Sequence, residues 1–231
     1  MNTLAFDTCF GACSVAASWR VGARAGIVSR FERLQRGHAE LLAPMIEAVM
    51  GEAPFDFDAL ELIVVTTGPG TFTGQRVGIA AARALALATG ARVGTLSSLA
   101  VMAYTAREEL GADVDGRAIA VAVDARRGEV YFQRFAGPDL EPTGPPELVR
   151  PHAAVPALDG ETIIVGSGAE QVVAEARALG TSAVARLAVL EPDVRTIPAG
   201  TVAPAAAMPR PLYLRAPDAV PQERPGLARV P

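Results

Sequence analysis

A chain of 231 residues, half of them hydrophobic, is long enough for one large domain or two small ones with real cores, which excludes a disordered protein. All 21 basic residues are Arg, so every mechanism built on a lysine is excluded, whether Schiff base, P-loop or amine general base. The net charge of -4 and pI near 5.3 give no general attraction to polyanions and argue against nucleic-acid binding by the chain alone, while leaving room for a local Arg cluster.

The opening MNTLAFDTCFGACSVAA is apolar enough for a signal peptide, but no basic residue precedes the apolar stretch and Asp7 interrupts it, so it reads as a buried strand. Cys9 and Cys13 cannot form a disulfide framework, and a lone C-x3-C lacks the second pair that zinc requires; they read as reduced, packed thiols of a cytoplasmic protein. TLAFD (3–7), ACSVAAS (12–18) and ARAGIVSRF (23–31) read as three strands of an antiparallel meander with glycines at the turns. HAELLAPMIEAVM then spaces Leu41, Leu42, Met45, Ile46 and Val49 as a helix, with Gly51 as its stop. Pro44 sits in its first turn or kinks it.

LELIVVTT is a continuous apolar strand of the kind buried on both faces, and it falls into GPGTFTG before a helix from about 74 to 88 that ends at Gly90. The apolar segment from Val77 to Ala91 carries Arg83 and is too short to span a bilayer. ARVGTL is a further strand, and SSLAVMAYTAREEL a helix with Ser97 or Ser98 as N-cap. The first half is therefore predicted as β-β-β-α-β-α-β-α.

The second half opens alike. LAFDTCFGACSVAAS and IAVAVDARRGEVYFQRF both carry an apolar strand ending in Asp, a Gly four residues on, and an alternating strand. TIIVGSGAEQVVAEARALG repeats strand, glycine turn and helix. Asp and Gly are common in turns by chance, but the matching order of elements favours duplication at domain scale. GPDLEPTGPPELVRPHAAVP (137–156) reads as proline-rich connection, and VPQERPGLARVP (220–231) as a loose tail.

A strand feeding a glycine loop and a helix N-terminus is a plausible anion site. The nucleotide motifs nevertheless fail: Gly74 is followed by Gln75, not by Lys, and the dinucleotide fingerprint lacks its third glycine at Thr73 and its acidic residue downstream. The structural reading is a tight connection, with Pro69 fixing its own φ, Gly68 and Gly70 in conformations closed to other residues, and Thr73 capping the helix. Gly74, Gly78, Ala82 and Ala86 form a smooth stripe that admits a close backbone, either the protein's own sheet or a partner helix, while Arg76 and Arg83 lie on other faces.

LAFDTCFGACSVA, HAELLAPMIEAVM, TTGPGTFTGQRVGIAAARALALA, GTLSSLAVMA, VDARRGEVYFQ and PLYLRAPDA resemble, in order, the signature segments of the TsaB (YeaZ) family, with GPGTFTGQR followed by SSL the most specific. The resemblance implies a duplicated α/β fold of the actin, Hsp70 and sugar-kinase type, divided here as 1–106 and a more degenerate 107–215, with a tail at 216–231. It implies a non-catalytic subunit that binds TsaD, the enzyme transferring threonylcarbamoyl to N6 of adenosine in tRNAs reading codons that begin with A. TsaE, a small ATPase, joins the complex; tRNA is met only through it; a homodimer forms when TsaD is absent; no cofactor, metal or membrane is involved. Asp7 and Asp124, with Gly166 and Gly168 of VGSG, stand at vestigial phosphate-side positions, although Asp124 could equally answer Arg126 or Arg127. The catalytic paralogue carries N-H-x-E-G-H where this chain has Ser97 to Met102, so both metal-binding histidines are replaced. Of the remaining histidines, His38 reads as a capping or packing residue and His152 as isolated. The loop Gly68, Pro69, Gly70, Thr71, Phe72, Thr73, Gly74 with Arg76 becomes scaffold for an interface formed by Leu41, Met45, Ile46, Val49, Ala81, Ala84 and Leu85, positions whose periodicity a core would share. The rival functions are an ATP-dependent small-molecule kinase using Asp7, Asp124 and VGSG, which the short chain disfavours, and a peptidase, for which no Ser/His/Asp set or HExxH motif is visible.

Overall fold

The computed structural model describes residues 1–114, 116–159 and 161–215, so the expected tail at 216–231 lies outside the described residues. Strands β1 (Asn2–Asp7), β2 (Ala12–Val21) and β3 (Arg24–Arg33) form the antiparallel meander. Their period-2 alternation sends Leu4, Phe6, Val15 and Ala17 to one face and Ala5 and Ala16 to the other, and both faces are covered. Helix α1 (His38–Glu52) follows; it passes through Pro44, which is exposed, and beyond Gly51, ending at Ala53. Strand β4 (Leu62–Thr66) returns parallel to β1, and α2 (Phe72–Thr89), β5 (Arg92–Leu96, parallel to β4) and α3 (Ser98–Leu110) complete the first unit. The sheet order is β3-β2-β1-β4-β5, with α1 and α2 on one face.

The second unit repeats that plan. Strands β6 (Ile119–Asp124) and β7 (Val130–Ala136) are antiparallel, short strands β8 (Glu141–Pro142) and β9 (Glu147–Val149) both pair with β7, and α4 (Pro151–Ala154) leads to β10 (Ile163–Val165), α5 (Ala169–Ala178) and β11 (Val184–Arg186). Its order, β8-β7-β6-β10-β11, is that of the first sheet strand for strand, which is duplication written in topology. The fold is thus the duplicated α/β type. The copy is degenerate: its third strand is split in two, and a short 3₁₀ turn at Val194–Thr196, not an α-helix, follows β11 among the described residues. The proline-rich 137–156 stretch is therefore more than connection, since it supplies β8, β9 and α4. Pro142 is tolerated because it lies on an edge strand, where a ladder donor can be missing.

Helix α3 lies between the two sheets. Leu99, Met102, Ala103 and Ala106 pack with Ile119, Val121 and Phe135 of the second unit, while Val101 meets Ala5, Leu62 and Val64 of the first. The expected division after residue 106 falls within this helix. Residues 204–215 then run back over the first unit: Pro204 bridges Gly94, Ala205 N–H donates to Val93, and Leu212 N–H donates to Thr67. Among the described residues no helix is long and apolar enough to cross a membrane.

Candidate functional site

The loops at the C-terminal ends of β1 and β4 interlock. Thr71 N–H donates to the Cys9 carbonyl at 2.7 Å, and Thr8 Oγ1 donates to the Gly74 carbonyl at 2.7 Å. Approach is so close that a Cβ on Gly70 would lie 2.4 Å from the Cys9 carbonyl oxygen, and one on Gly74 2.0 Å from that of Thr8. Gly70 is thus required by contact, not by its dihedrals, which corrects the expectation for it. Gly68 does need its φ of +110°, beside a cis Gly68–Pro69 bond. The helix cap is Thr71, whose Oγ1 accepts from Gly74 N–H at 3.1 Å; Thr73, expected in that role, is an exposed residue inside the first turn. Ser98 clamps the loop from the start of α3, its N–H donating to Gly68 at 2.9 Å and its hydroxyl to Pro69. Gln75, notable in the sequence only for standing where a P-loop has lysine, is 2% exposed; its Nε2 donates to Gly70 at 3.1 Å while its Oε1 is buried without a partner among the described residues.

The small-residue stripe faces inward. Gly74, Gly78, Ala82 and Ala86 are buried, and a Cβ on Gly78 would meet Thr8 Oγ1 at 2.9 Å, so the backbone admitted is that of the protein's own first hairpin and sheet. Of the expected interface residues, Met45, Ile46 and Val49 belong to the core between α1 and the sheet, where Val49 is wholly buried. Leu41, Ala81 and Leu85 are half-buried against that core, and Ala84 is exposed. The open faces are one step round each helix: Ala43, Pro44, Glu47 and Ala48 on α1; Ala80, Ala84, Ala88 and the 88%-exposed Leu87 on α2.

Asp7 is fully buried. It accepts from Thr66 Oγ1 and, at 3.0 Å, from Cys9 N–H, yet among the described residues no cation pairs with it; burial pushes its carboxyl up to about 6. Cys9 and Cys13 are buried free thiols, both pushed up by burial and then by the charge of Asp7. Asp124 is more open; its Oδ1 accepts from Arg126 N–H at 2.8 Å, Ser167 Oγ caps its own N–H at 3.0 Å, and Arg126 Nη1 stands 3.7 Å from Oδ2. Gly166 and Gly168 are closed against β6 and β7, with Gly168 N–H bonded to Ala122. His38 opens α1, its Nε2 donating to the Phe10 carbonyl at 2.9 Å, and His152 is exposed on α4. Among the described residues no three His, Cys, Asp or Glu side chains converge as a ligand set.

Two further contacts were invisible in the sequence because they join distant segments. Glu191 accepts from Gly11 N–H at 2.9 Å; burial raises its carboxyl, opposed by that bond and by Arg33 and His38. Arg215 reaches the β6–β7 hairpin, donating to the Ala125 carbonyl at 2.9 Å and Glu129 at 2.6 Å, where Arg126 and Arg127 adopt positive φ. A mostly apolar recess of about 460 Å³ is remote from these loops, opening at the other end of β1 near Trp19, Ile27 and Pro198.

The family model described as "TsaD: tRNA N6-adenosine threonylcarbamoyltransferase" matches residues 25–155. The chain is 33% identical over 176 residues to the tRNA threonylcarbamoyladenosine biosynthesis protein TsaB of Escherichia coli (strain K12), covering 73% of this chain and 72% of that protein. The protein of the same name from Haemophilus influenzae is 35% identical over 134 residues, 58% of this chain and 53% of the relative. Among solved structures, YeaZ from Pseudomonas aeruginosa matches with a TM-score of 0.70 at 29% identity, over 85% of this chain and 89% of that one.

Proposed function

The chain belongs to the TsaB (YeaZ) family, and from that premise we propose that it is the cytoplasmic, non-catalytic subunit that holds TsaD in a competent form during tRNA threonylcarbamoyladenosine synthesis. The observation that carries the reading lies at the start of α3. Ser98 and Met102 stand where the catalytic relatives' histidine pair is expected; the Ser98 hydroxyl is engaged by Pro69, and Met102 is 1% exposed in the core beside Gly166. A hydroxyl already donating to a carbonyl and a buried thioether offer a hard or borderline cation nothing. The glycine loop supports the same reading, because its amides and carbonyls are taken up in holding the β1–β2 turn to the loop between β4 and α2.

Association would use the open side of α1 and α2. Its small side chains let a helix approach closely, and Leu87 supplies an exposed anchor. Leu41, Ala81, Ala84 and Leu85 border this face. The same surface serves TsaD or, in its absence, a second copy; TsaE and tRNA join through the complex. Co-expression with the organism's own TsaD and size-exclusion chromatography tests the reading: the two should co-elute, and separate elution at concentrations well above micromolar counts against it. Calorimetry with Mg·ATP should show no turnover of phosphoryl acceptors, which separates this role from that of a kinase.

A further inference from the structure

Arg76 and Arg83 leave α2 two turns apart on one side, about 10 Å along the axis. Residues 209–213 pass beside them and fix both: Arg76 Nε donates to the Tyr213 hydroxyl at 2.7 Å, its guanidinium carbon lies 3.6 Å from the Phe72 ring centroid, and Arg83 donates to the Pro209 carbonyl. Phe72 and Tyr213 are stacked at 5.6 Å although both are exposed, at 59% and 45%. Between helix and segment lies a recess of about 380 Å³ lined by Arg76, Ile79, Ala80, Arg83, Pro211 and Tyr213. No carboxylate lines it, and neither arginine forms an ion pair among the described residues. It sits on the Ile79 flank of α2, away from the Ala81 and Leu85 flank that packs toward α1.

Guanidiniums held by a hydroxyl, a ring and a carbonyl lose little freedom on meeting an anion, and they keep unused donors for one. A carboxylate would need only the two forks. This recess also presents an aromatic wall beside them, the pairing of charge and ring that serves a nucleotide strand.

We propose that the recess between α2 and the 209–213 segment is a contact for single-stranded RNA, with Arg76 and Arg83 taking neighbouring backbone phosphates and a base lying against Tyr213. The choice of RNA as the polyanion rests on the reading that the chain serves tRNA modification. The net charge of -4 keeps the contact weak in the isolated chain. It adds affinity chiefly when TsaD presents the RNA.

The test is fluorescence anisotropy of a labelled oligoribonucleotide of about a dozen nucleotides, with the chain alone and with its TsaD complex. Binding should weaken with salt, and Arg76→Gln with Arg83→Gln should reduce the log–log salt slope by about 1.4, the release expected of two single-strand phosphates. Each single variant should bind about fivefold more weakly, and Arg83→Lys should keep the slope. Arg83→Gln decides if Arg76→Gln loosens the Phe72–Tyr213 packing, which thermal melts followed by circular dichroism report. Unchanged affinity and slope in the variants overturn the proposal. So does displacement of the RNA by inorganic phosphate or AMP at equal nucleotide concentration, which would make the recess a site for free phosphate. Variants that lose TsaD but bind RNA normally overturn it too, assigning the recess to a partner's carboxylates. Failure of the wild-type chain to co-elute with TsaD removes the scaffold reading and leaves the RNA measurement to stand by itself.

Discussion

Asp7 is a carboxyl that the fold would hold more easily without its charge. Its rise from 3.8 to about 6 on folding makes ionisation at neutral pH cost about 3 kcal/mol of stability. Below about pH 4 both folded and unfolded chains are protonated there and the penalty is absent; between about 4 and 6 the unfolded chain releases its proton first, so stability falls as pH rises. Asp7→Asn should therefore raise stability at pH 7 by about 1–3 kcal/mol and flatten that decline, measured by urea denaturation across pH. A catalytic carboxylate would show lost activity with little regard for this profile. At the glycines, Gly74→Ala places a methyl 2.0 Å from a backbone oxygen that the interlocked loops cannot withdraw, and should cost about 3 kcal/mol or more. Gly22→Ala, where nothing lies within 4 Å but φ is +60°, should cost only about 1 kcal/mol. The sequence announced that the loop was special; it could not say that Gly70 and Gly74 answer to the Cys9 and Thr8 carbonyls, because those lie some sixty residues away.

At the scale of elements, α1 and α2 show why periodicity alone does not separate a contact face from a core. A helix against a sheet and a helix against a partner both space apolar residues by three and four, and here the sheet takes the richer stripe, Met45, Ile46 and Val49, while the open face is left with alanines and Leu87. Substitutions should separate the two. Ile46→Ala is expected to lower stability by about 2–5 kcal/mol through the cavity it leaves, read by chemical denaturation. Leu87→Glu should leave the melting curve within about 0.5 kcal/mol of wild type yet weaken co-elution with TsaD. If Leu87→Glu unfolds the chain, the face is not free, and the assignment of interface and core must be exchanged. Helix starts were legible only to within a run of hydroxyl residues: the bond from Ala100 N–H selects Ser97 over Ser98 at α3, and the bond from Gly74 N–H selects Thr71 over Thr73 at α2.

Across the whole molecule, the units are joined by more than the chain passing through α3. The segment around Glu191 grips the first hairpin through Gly11 N–H and through Ser14, whose hydroxyl donates to Pro192 and accepts from Val194 N–H, and Arg215 ties residues that have crossed the first unit to the β6–β7 hairpin of the second. Arg215→Ala should lower stability by about 1 kcal/mol, since the ion pair with Glu129 is partly screened and the bond to Ala125 is partly buried; a two-step unfolding curve for this variant would show that the units had been held together there. The duplicated order of strands, the two Asp-ended β-strands and the absence of lysine were written in the sequence, because each depends on residues near one another along the chain or on composition alone. Tertiary structure decided the rest: which helix face is core, where β8 and β9 pair, that Gln75 lies buried beneath the loop, and that Glu191 and Arg215 close onto hairpins 180 and 90 residues away. Such contacts arise when two surfaces meet in space, and a linear pattern carries no record of the second surface.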